Sequence, residues 1–290
     1  MSALPVKYPQ YLDAFERILE EYCAKMAYLP AGLTEGMRYS LLAGGKRLRP
    51  VLFFAALDAL GVAWAEEREL ALALECIHTY SLIHDDLPAM DNDDWRRGKP
   101  SNHKKFGEGN AILAGDALLS EAFTLCMCSA KDEPHRRAGE LLARAAGAEG
   151  MVAGQFSDLA CETDRSAGEN ELRFIYENKT AQLIRAPLTM AAAIAGKAEA
   201  EMAELGTALG ILFQMTDDLL DVKGESAKMG KTLGKDEAEN KLTCVRVFGL
   251  EESERRADGY AEACRAVLGR MAAETQFFSE LVSYVRERDH

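Results

Sequence analysis

The 290-residue sequence contains no CxxC pair, no HExxH zinc motif and no GxSxG nucleophile elbow. These absences exclude a thioredoxin-type redox centre, a zinc protease of the HExxH type and an α/β-hydrolase. Basic residues are also few, since 34 Lys and Arg stand against 47 Asp and Glu, for a formal net charge of −13. Broad nucleic-acid binding needs a basic surface, so this charge argues against a nucleic-acid partner.

Long apolar runs and targeting signals are missing too. No apolar run approaches the roughly 18 residues that a membrane span needs, and residues 1–10 lack a basic region followed by an apolar one. We therefore expect a cytoplasmic protein without integral membrane association. The seven cysteines form no even framework, which favours free thiols in a reducing compartment, used as small core residues. They are Cys23, Cys76, Cys126, Cys128, Cys161, Cys244 and Cys264.

Alternating strand patterns are absent, and helical periodicity takes their place. Apolar residues recur at helical spacing over residues 66–87 and again over residues 198–222. Ala-rich stretches at 139–149 and 189–200 add helix propensity. The turn clusters are short, and none has the length of an interdomain linker. We predict a single all-α domain over residues 1–290, a large helical bundle of about ten or more helices.

Five aspartates lie within ten residues at the end of the first of these helices, beginning with Asp85 and Asp86. Pro88 should end the helix near residue 87, so the chain can fold Asp91 back beside Asp85. Negative charge is unfavourable at a helix C-terminus, where the helix dipole is already negative. The cluster is therefore expected to bind a cation, with a solvated acidic helix end as the alternative interpretation.

A second acidic pair, Asp217 and Asp218, is followed by Asp221. Residues i and i+4 share a helix face, so Asp217 and Asp221 should point together and repel unless a cation lies between them. Oxygen ligands suit a hard divalent cation, Mg²⁺ before Zn²⁺. Because Mg²⁺ commonly takes one or two carboxylates plus substrate phosphates, two clusters indicate several metal ions and one polyanionic ligand.

Basic residues suited to such a ligand flank both clusters. The turn Gly44-Gly45 opens into a helix, a place where backbone N–H groups and cations can meet an anion. Arg binds phosphate through two parallel hydrogen bonds, and Lys acts as a point charge. Any one of these residues alone could be a solvated surface charge, and the combination with two Asp clusters favours anion binding. The cations are Lys46, Arg47, Arg49, Arg96, Arg97, Lys179 and Lys231.

One histidine shares the helix that leads to the first cluster. His78 lies seven residues before Asp85, two turns away on nearly the same face. It could reach a phosphate or a metal-bound ligand. A hydrogen-bonded core histidine is an equally good interpretation.

Taken together, these motifs resemble the trans-isoprenyl diphosphate synthase family over about Gly44 to Leu250. The first Asp motif is similar to that of the family's bacterial farnesyl diphosphate synthases (geranyltranstransferases), with two extra residues that fall here within Leu87–Met90. The resemblance implies the isoprenoid-synthase bundle around a central cavity, and a homodimer. It rests on GGKRLRP, on ECIHTYSLIHDDLPAMDNDDWRRGKPSNHKKFGEGNAILAGDALL, and on GMVAGQFSDL, NKTAQLIRAP and FQMTDDLLDVKGESAKMGKTLGKD.

The same resemblance implies a head-to-tail condensation of isopentenyl diphosphate with dimethylallyl and geranyl diphosphate to give farnesyl diphosphate. The reaction would be assisted by Mg²⁺, with Mn²⁺ as a substitute. Two of three Mg²⁺ would bind Asp85 and Asp91, and the third Asp217. Ionisation of the allylic C–O bond then needs a neutralised leaving group, which makes the chemistry electrostatic catalysis.

Further roles follow from the family's motifs. The allylic diphosphate would be held by Arg96, Lys179 and Lys231, with Lys241 near the leaving group. The developing allylic cation would lie near Thr180 and Gln214. The isopentenyl diphosphate pocket would contain Gly45, Lys46, Arg49, His78 and Arg97, while Gln155 and Asp158 match a motif that faces the cavity.

Product length is expected to depend on the helix before the first cluster. Tyr80 lies five residues before Asp85, about 7.5 Å along the helix axis, and small Ser81 follows it. In the resembled family an aromatic residue here accompanies a C15 product. The alternative interpretation is that Tyr80 is ordinary packing and a neighbour forms the floor.

Three other functions stay open from the sequence. A geranylgeranyl or geranyl diphosphate synthase would use the same chemistry. A terpene cyclase shares the Asp-rich helix end but needs no second substrate pocket, so Lys46 and His78 weigh against it. A non-catalytic partner subunit could lose its Asp clusters, and both are intact here.

Overall fold

The computed structural model describes residues 3–26, 30–223 and 241–288. Over these residues the secondary structure is helical except for one hairpin of two-residue strands, so the all-α prediction is confirmed. Lys231, predicted to bind substrate, lies outside the described residues. Backbone contacts divide the chain into two compact units, Pro9–Glu140 and Leu141–His290 with Met1–Tyr8. The prediction of a single domain over residues 1–290 stays a prediction.

The first unit, Pro9–Glu140, is organised around the helix that precedes the first Asp cluster. This helix, α4 (Arg68–Asp85), packs against α6 (Glu108–Ser129), which is apolar along most of its length. The hairpin strands β1 and β2 pair antiparallel next to the first cluster. The elements are α1 (Tyr8–Lys25), α2 (Ala31–Leu41), α3 (Leu48–Ala59), a short 3₁₀ helix (Trp64–Glu66), α4 (Arg68–Asp85), β1 (Trp95–Arg96), β2 (Lys99–Pro100), α5 (Asn102–Phe106) and α6 (Glu108–Ser129).

The second unit is built around α11 (Glu199–Lys223), which packs against α10 (Gln182–Ala195) and α13 (Leu250–Leu268). A π-helical turn, Tyr176–Ala181, interrupts the helical run between α9 and α10. Helix α7 (Glu133–Ala146) crosses the boundary between the units in sequence. The other elements are α8 (Met151–Thr163), α9 (Glu169–Ile175), α10 (Gln182–Ala195), α11 (Glu199–Lys223), α12 (Cys244–Phe248), α13 (Leu250–Leu268) and α14 (Gln276–Glu287).

The two most periodic helices form where the sequence predicts them. Residues 66–87 give α4, and residues 198–222 give α11, whose periodic apolar residues are buried. The Ala-rich stretch 189–200 is divided between two helices, because Gly196 ends α10 in the left-handed conformation (φ 66°). Six of the seven free cysteines are buried as expected, and Cys128 is exposed.

A buried ion pair fixes the start of α3. Arg47 is the N-cap residue in the left-handed region (φ 48°). Its guanidinium donates to Glu75 at 2.8 Å, to Glu16 at 2.8 Å and to the Leu41 carbonyl at 2.7 Å. The Arg47 and Glu75 side chains are both fully buried. Burial lowers the pKa of Arg47, but the charges of Glu75 and Glu16 outweigh it and raise that pKa above its usual value.

Removing one member of this pair should destabilise the protein strongly. In Arg47→Met, Glu75 keeps a buried charge without its counter-ion, so the free energy of unfolding should fall by about 3–5 kcal/mol. Arg47→Met/Glu75→Met should recover most of that loss in urea unfolding. The exposed pair Arg144–Glu149 is the control, where Arg144→Met should cost at most about 1 kcal/mol. Equal losses in Arg47→Met and Arg144→Met would contradict this account.

Among the described residues, one helix is long and apolar enough to cross a membrane by length and composition, α6. Core helices of ordinary globular proteins meet the same criterion, which makes it weak evidence. The buried residues of α6 include Ala114, Leu118 and Ala122. Only 33% of its most apolar stretch is buried, and apolar side chains such as Leu113 and Met127 are exposed.

Candidate active site

The first Asp cluster is formed by a tight turn at the end of α4. Pro88 follows the helix as expected, and α4 ends at Asp85. The Asp91 backbone N–H donates to the Asp85 carbonyl at 2.8 Å, and Asn92, with φ 49°, continues the turn. The predicted return of Asp91 to Asp85 is therefore confirmed at the backbone. Both aspartates are half-buried.

The next aspartate along the chain has a different partner. Asp86 is buried and accepts hydrogen bonds from Arg96, on β1, whose Nε lies 3.0 Å from Oδ1. Arg96 also contacts Asp93 at 3.3 Å. Burial raises the pKa of Asp86, and its hydrogen bonds with Arg96 partly oppose that shift. Asp86 therefore holds the Arg96 guanidinium in place, and the β1–β2 hairpin carries Arg96 beside the Asp85–Asp91 turn.

The glycine turn before α3 brings a second arginine close to the backbone. Arg97 donates to the Gly44 carbonyl. Gly45 has φ 119°, a backbone conformation that other residues rarely adopt, and a Cβ placed there would lie 2.8 Å from Arg97 Cζ. Lys46, next in the turn, is exposed. The turn thus supports a guanidinium on one side and offers an accessible ammonium on the other.

Two more predicted ligands of an anion stand near these cations. Arg49 Nε and His78 Nδ1 are buried atoms without a hydrogen-bond partner among the described residues. Burial lowers the pKa of Arg49 to about 10. Burial, together with Arg49 and then Arg97, holds the pKa of His78 well below its usual value. A neutral His78 beside several cations, with the Arg49 Nε–H donor and the His78 Nδ1 atom both without a partner among the described residues, suits the binding of an anion.

The neutral state of His78 predicts a pH dependence of stability. The pKa of His78 is lower in the folded protein than in the unfolded chain. Below the unfolded-state pKa the unfolded chain therefore binds more protons than the folded protein. Stability that is fully present above the unfolded-state pKa is lost as the pH falls below that value. Below about pH 6.5 this one group should remove up to about 1.4 kcal/mol per pH unit. The unfolding free energy of His78→Gln should therefore fall less between pH 7 and pH 5.5 than that of the wild type. Parallel pH profiles would contradict a neutral His78.

Tyr80 and Ser81 follow His78 on α4. The Tyr80 side chain is buried, with its ring edge-on to His84 at a centroid distance of 5.8 Å. Burial and the nearby Asp85 charge raise the pKa of Tyr80 to about 12. Ser81 is also buried and donates to the His78 carbonyl at 2.9 Å. The phenol ring is therefore a fixed apolar surface about one and a half turns before Asp85.

In the second unit, two predicted lysines meet around α8. Lys179 Nζ lies 2.5 Å from Asp158, and Lys241 Nζ lies 2.6 Å from Glu162 and 3.7 Å from Asp158. Asp158 thus brings the two cations together. Gln155 is one turn away and buried, and neither of its amide atoms has a hydrogen-bond partner among the described residues.

The π-helical turn carries Lys179 and Thr180, and such turns often occur at functional sites. The Thr180 hydroxyl donates to Gln214 Oε1 at 2.7 Å, so these two predicted residues are in contact. Gln214 in turn donates from Nε2 to Asp218 Oδ1 at 2.9 Å. Asp218 is buried and also accepts from Tyr176 and from the Cys244 backbone N–H.

The remaining predicted metal ligand is paired with a cation near the end of the described chain. Arg288 donates to Asp217 Oδ1 at 2.7 Å and to the Phe213 carbonyl at 3.1 Å. The Asp217 side chain is about one-third exposed, at 35%. Asp221, one turn further along α11, is buried. Asp217 is therefore the more accessible carboxylate of the two, and it is paired with Arg288.

The donor chemistry of both clusters fits Mg²⁺. Asp85, Asp91 and Asp217 supply only oxygen, the ligand type of a hard cation. Over the described parts of the chain there is no ready-made group of three or more His, Cys, Asp or Glu that could hold a metal. This fits an ion that takes one or two carboxylates and completes its shell with water and phosphate oxygens.

We did not predict from the sequence that several residues of these clusters hold other side chains by hydrogen bonds or ion pairs. They are Asp86, Glu75, Tyr176, Asp218 and Arg288. The spacing of the Asp motifs indicates a separate role for Asp86 and Asp218. Adjacent helical residues point about 100° apart, so the two aspartates of each pair cannot both face one ligand. For Arg288 and Tyr176 the contacts join distant parts of the chain, and no local pattern indicates them.

Comparison with known proteins agrees with this chemistry. A profile of the polyprenyl synthetase family matches residues 30–283. Farnesyl diphosphate synthase of Bacillus subtilis is 41% identical over 283 residues, 95% of each chain. The large subunit 1 of a chloroplastic heterodimeric geranylgeranyl pyrophosphate synthase of Arabidopsis thaliana is 45% identical, over 90% of this chain and 73% of its own.

A solved structure extends the likeness to three dimensions. A geranyltransferase from Helicobacter pylori, complexed with magnesium and isoprenyl diphosphate, superposes with a TM-score of 0.82 at 31% identity. The superposition covers 98% of this chain and 97% of that one. The profile match spans residues from both compact units. This chain is therefore a prenyltransferase enzyme and belongs to the polyprenyl synthetase family.

Proposed function

We propose that this enzyme condenses isopentenyl diphosphate with dimethylallyl diphosphate and then with geranyl diphosphate, and releases farnesyl diphosphate. The observation that carries the proposal is the pairing of two kinds of group in the first unit. Asp85 and Asp91 suit a metal-bound diphosphate, while Arg49 and His78 offer unsatisfied polar atoms to a second anion. Two separate anionic substrates fit a condensation better than a cyclisation, which has one.

Each step of the reaction has a proposed place among these residues. The C–O bond of the allylic diphosphate breaks and a bond forms to the terminal alkene carbon, C4, of isopentenyl diphosphate. The positive charge then lies on C3, and loss of a proton from C2 restores a double bond. When bound, Mg²⁺ would neutralise the diphosphate as charge develops. Lys179, Lys241, Arg96 and Lys231 would hold the leaving group, and we assign proton removal to the released diphosphate. Asp85, Asp91 and Asp217 would bind the metal ions, three in number, with Mn²⁺ as a substitute.

The second anion pocket is assigned to the glycine turn and its neighbours. Gly45 lets the backbone and Arg97 approach closely, and Lys46 is exposed to an incoming ligand. The predicted set is Gly45, Lys46, Arg49, His78 and Arg97. These groups would bind isopentenyl diphosphate without a metal, since they are cationic or neutral donors. We also propose that residues 1–290 form a single domain.

The direct test is a product assay on the purified protein. Incubation with isopentenyl diphosphate, dimethylallyl diphosphate and Mg²⁺ should give a C15 diphosphate by mass spectrometry, and EDTA should abolish it. A C20 product would identify a geranylgeranyl diphosphate synthase instead, a function that the 45% identity to a plant subunit makes the second candidate. A C10 product would identify a geranyl diphosphate synthase. Folded protein without any product would favour a cyclase or a non-catalytic subunit.

We also propose that the enzyme is a homodimer of the cytoplasm. All seven cysteines are free thiols, which suits a reducing compartment. Helix α6 carries exposed apolar side chains, among them Leu113 at 58% and Met127 at 81%. Such side chains support an interface between copies. Sedimentation equilibrium should give about twice the chain mass of 31.8 kDa, and a mass near 31.8 kDa would contradict the dimer.

A further inference from the structure

The proton of the Thr180 hydroxyl has a defined direction. It is donated to Gln214 Oε1 at 2.7 Å, while the Gln214 amide nitrogen donates to Asp218 at 2.9 Å. A carboxylate only accepts hydrogen bonds, so it obliges the amide nitrogen of Gln214 to face it. The Gln214 oxygen must then face Thr180. The hydroxyl consequently keeps its remaining lone pairs, the negative end of its dipole, for whatever binds beside it.

Among the described residues, Tyr176, Gln214 and the Cys244 backbone N–H all donate to Asp218. Tyr176 and the Cys244 backbone N–H both donate to Oδ2, the latter at 2.8 Å. Gln214 donates to Oδ1. Burial, and then the Asp218 charge, raise the pKa of Tyr176 well above its usual value, so the phenol keeps its proton and donates. Asp218 is buried, with its two oxygens committed to these groups, unlike its neighbour Asp217.

We propose that Asp218 is a positioning residue for prenyl transfer, one that sets the amide orientation of Gln214 and so directs the lone pairs of Thr180 at the developing allylic cation. This inference deepens the proposed function and rests on it. The second aspartate of the motif thus acts through hydrogen bonds, and not as a ligand of a metal ion. Tyr176 and the Cys244 amide complete the arrangement by holding the Asp218 carboxylate.

The substitution Asp218→Asn should reverse the whole chain of hydrogen bonds. The oxygen of the new amide remains on the side of the Cys244 N–H and Tyr176 O–H, because both groups need an acceptor. The nitrogen of the new amide then faces Gln214, which must turn its oxygen towards it. The Gln214 nitrogen now donates to Thr180, and the Thr180 proton points outwards. A positive dipole end beside a developing cation should lower kcat by about tenfold or more, with little change in KM.

A second substitution restores the original direction. In Gln214→Glu/Asp218→Asn, the amide and the carboxylate exchange places, and the new carboxylate accepts from both the new amide and the Thr180 hydroxyl. We expect this pair to recover most of the kcat lost in Asp218→Asn. Thr180→Val should make the effect of Asp218→Asn small, since the hydroxyl through which it acts is gone. Thr216→Val is the matched control, because the Thr216 hydroxyl donates to the Leu212 carbonyl of its own helix at 2.9 Å.

The outcomes separate this inference from the proposed function. The inference is supported if the wild type is active and two further results hold. Gln214→Glu/Asp218→Asn should recover kcat, and adding Asp218→Asn to Thr180→Val should cause no further loss of kcat. An active wild type with multiplicative losses and no recovery overturns it, as does a large rise in the Mg²⁺ concentration that half-saturates Asp218→Asn. Wild-type protein without prenyl transfer overturns the proposed function itself, and the positioning role of Asp218 with it.

Discussion

Asp85→Asn should lower kcat by about 1,000-fold, the largest loss expected of any single substitution in this protein. The carboxylate is proposed to hold a metal ion against the leaving diphosphate, and an amide is a neutral and weaker ligand. The fold should be unaffected, because Asp85 is half-buried at the end of α4, where negative charge opposes the helix dipole. Steady-state kinetics with geranyl diphosphate, beside thermal unfolding, would measure both effects.

A neighbouring aspartate supplies the control. Asp94 belongs to the same acidic run but is exposed and paired with Lys104 at 2.8 Å. Exposed ion pairs contribute at most about 1 kcal/mol, so Asp94→Asn should leave kcat within about twofold and stability nearly unchanged. Similar losses of kcat in Asp85→Asn and Asp94→Asn would mean that the run acts only through its total charge.

Tyr80→Ala should lengthen the product from C15 to C20 or longer. The buried ring stands about 7.5 Å along α4 from Asp85, and its removal frees the volume of a phenol side chain. The prediction requires that the growing tail runs along α4 away from the metal site. Mass spectrometry of the products from dimethylallyl and isopentenyl diphosphate gives the chain length directly.

Two further variants separate ring volume from stability. Tyr80→Phe keeps the ring and should still give C15. Truncation of a buried aromatic residue to Ala costs about 3–5 kcal/mol, so Tyr80→Leu is a milder change for use if the Ala variant unfolds. An unchanged C15 product in a folded Tyr80→Ala or Tyr80→Leu variant would show that another residue forms the floor, with Ser81 and its neighbours as the next candidates.

The main helices and the turn of the first Asp cluster can be predicted from the local sequence. The apolar periodicity of α4 and α11 determines their positions to within a few residues, because burial of one face outweighs other preferences over such lengths. Pro88 and the run of aspartates predict the turn that returns Asp91 to Asp85. The Gly44-Gly45 turn before α3 is also predictable from the sequence, but the close contact of Gly45 with Arg97 is not.

What the sequence does not determine is how each polar group is partnered. Asp85 and Asp86 are chemically identical, and only the position of Arg96 on the hairpin decides that Asp86 turns inwards. The same holds for Asp217 and Asp218, whose partners are Arg288 and Gln214. The π-helical turn at Tyr176–Ala181 also has no local signature, since it depends on packing against α8 and α11.

In the proposed reaction, ionisation of the allylic diphosphate precedes formation of the new carbon–carbon bond. The most direct test is the rate of the wild-type enzyme with geranyl diphosphate that carries fluorine at carbon 2. Fluorine withdraws electrons and destabilises the allylic cation, so we expect kcat to fall by about 100-fold or more with a similar KM. A rate close to that of geranyl diphosphate would contradict ionisation and favour direct displacement of the diphosphate.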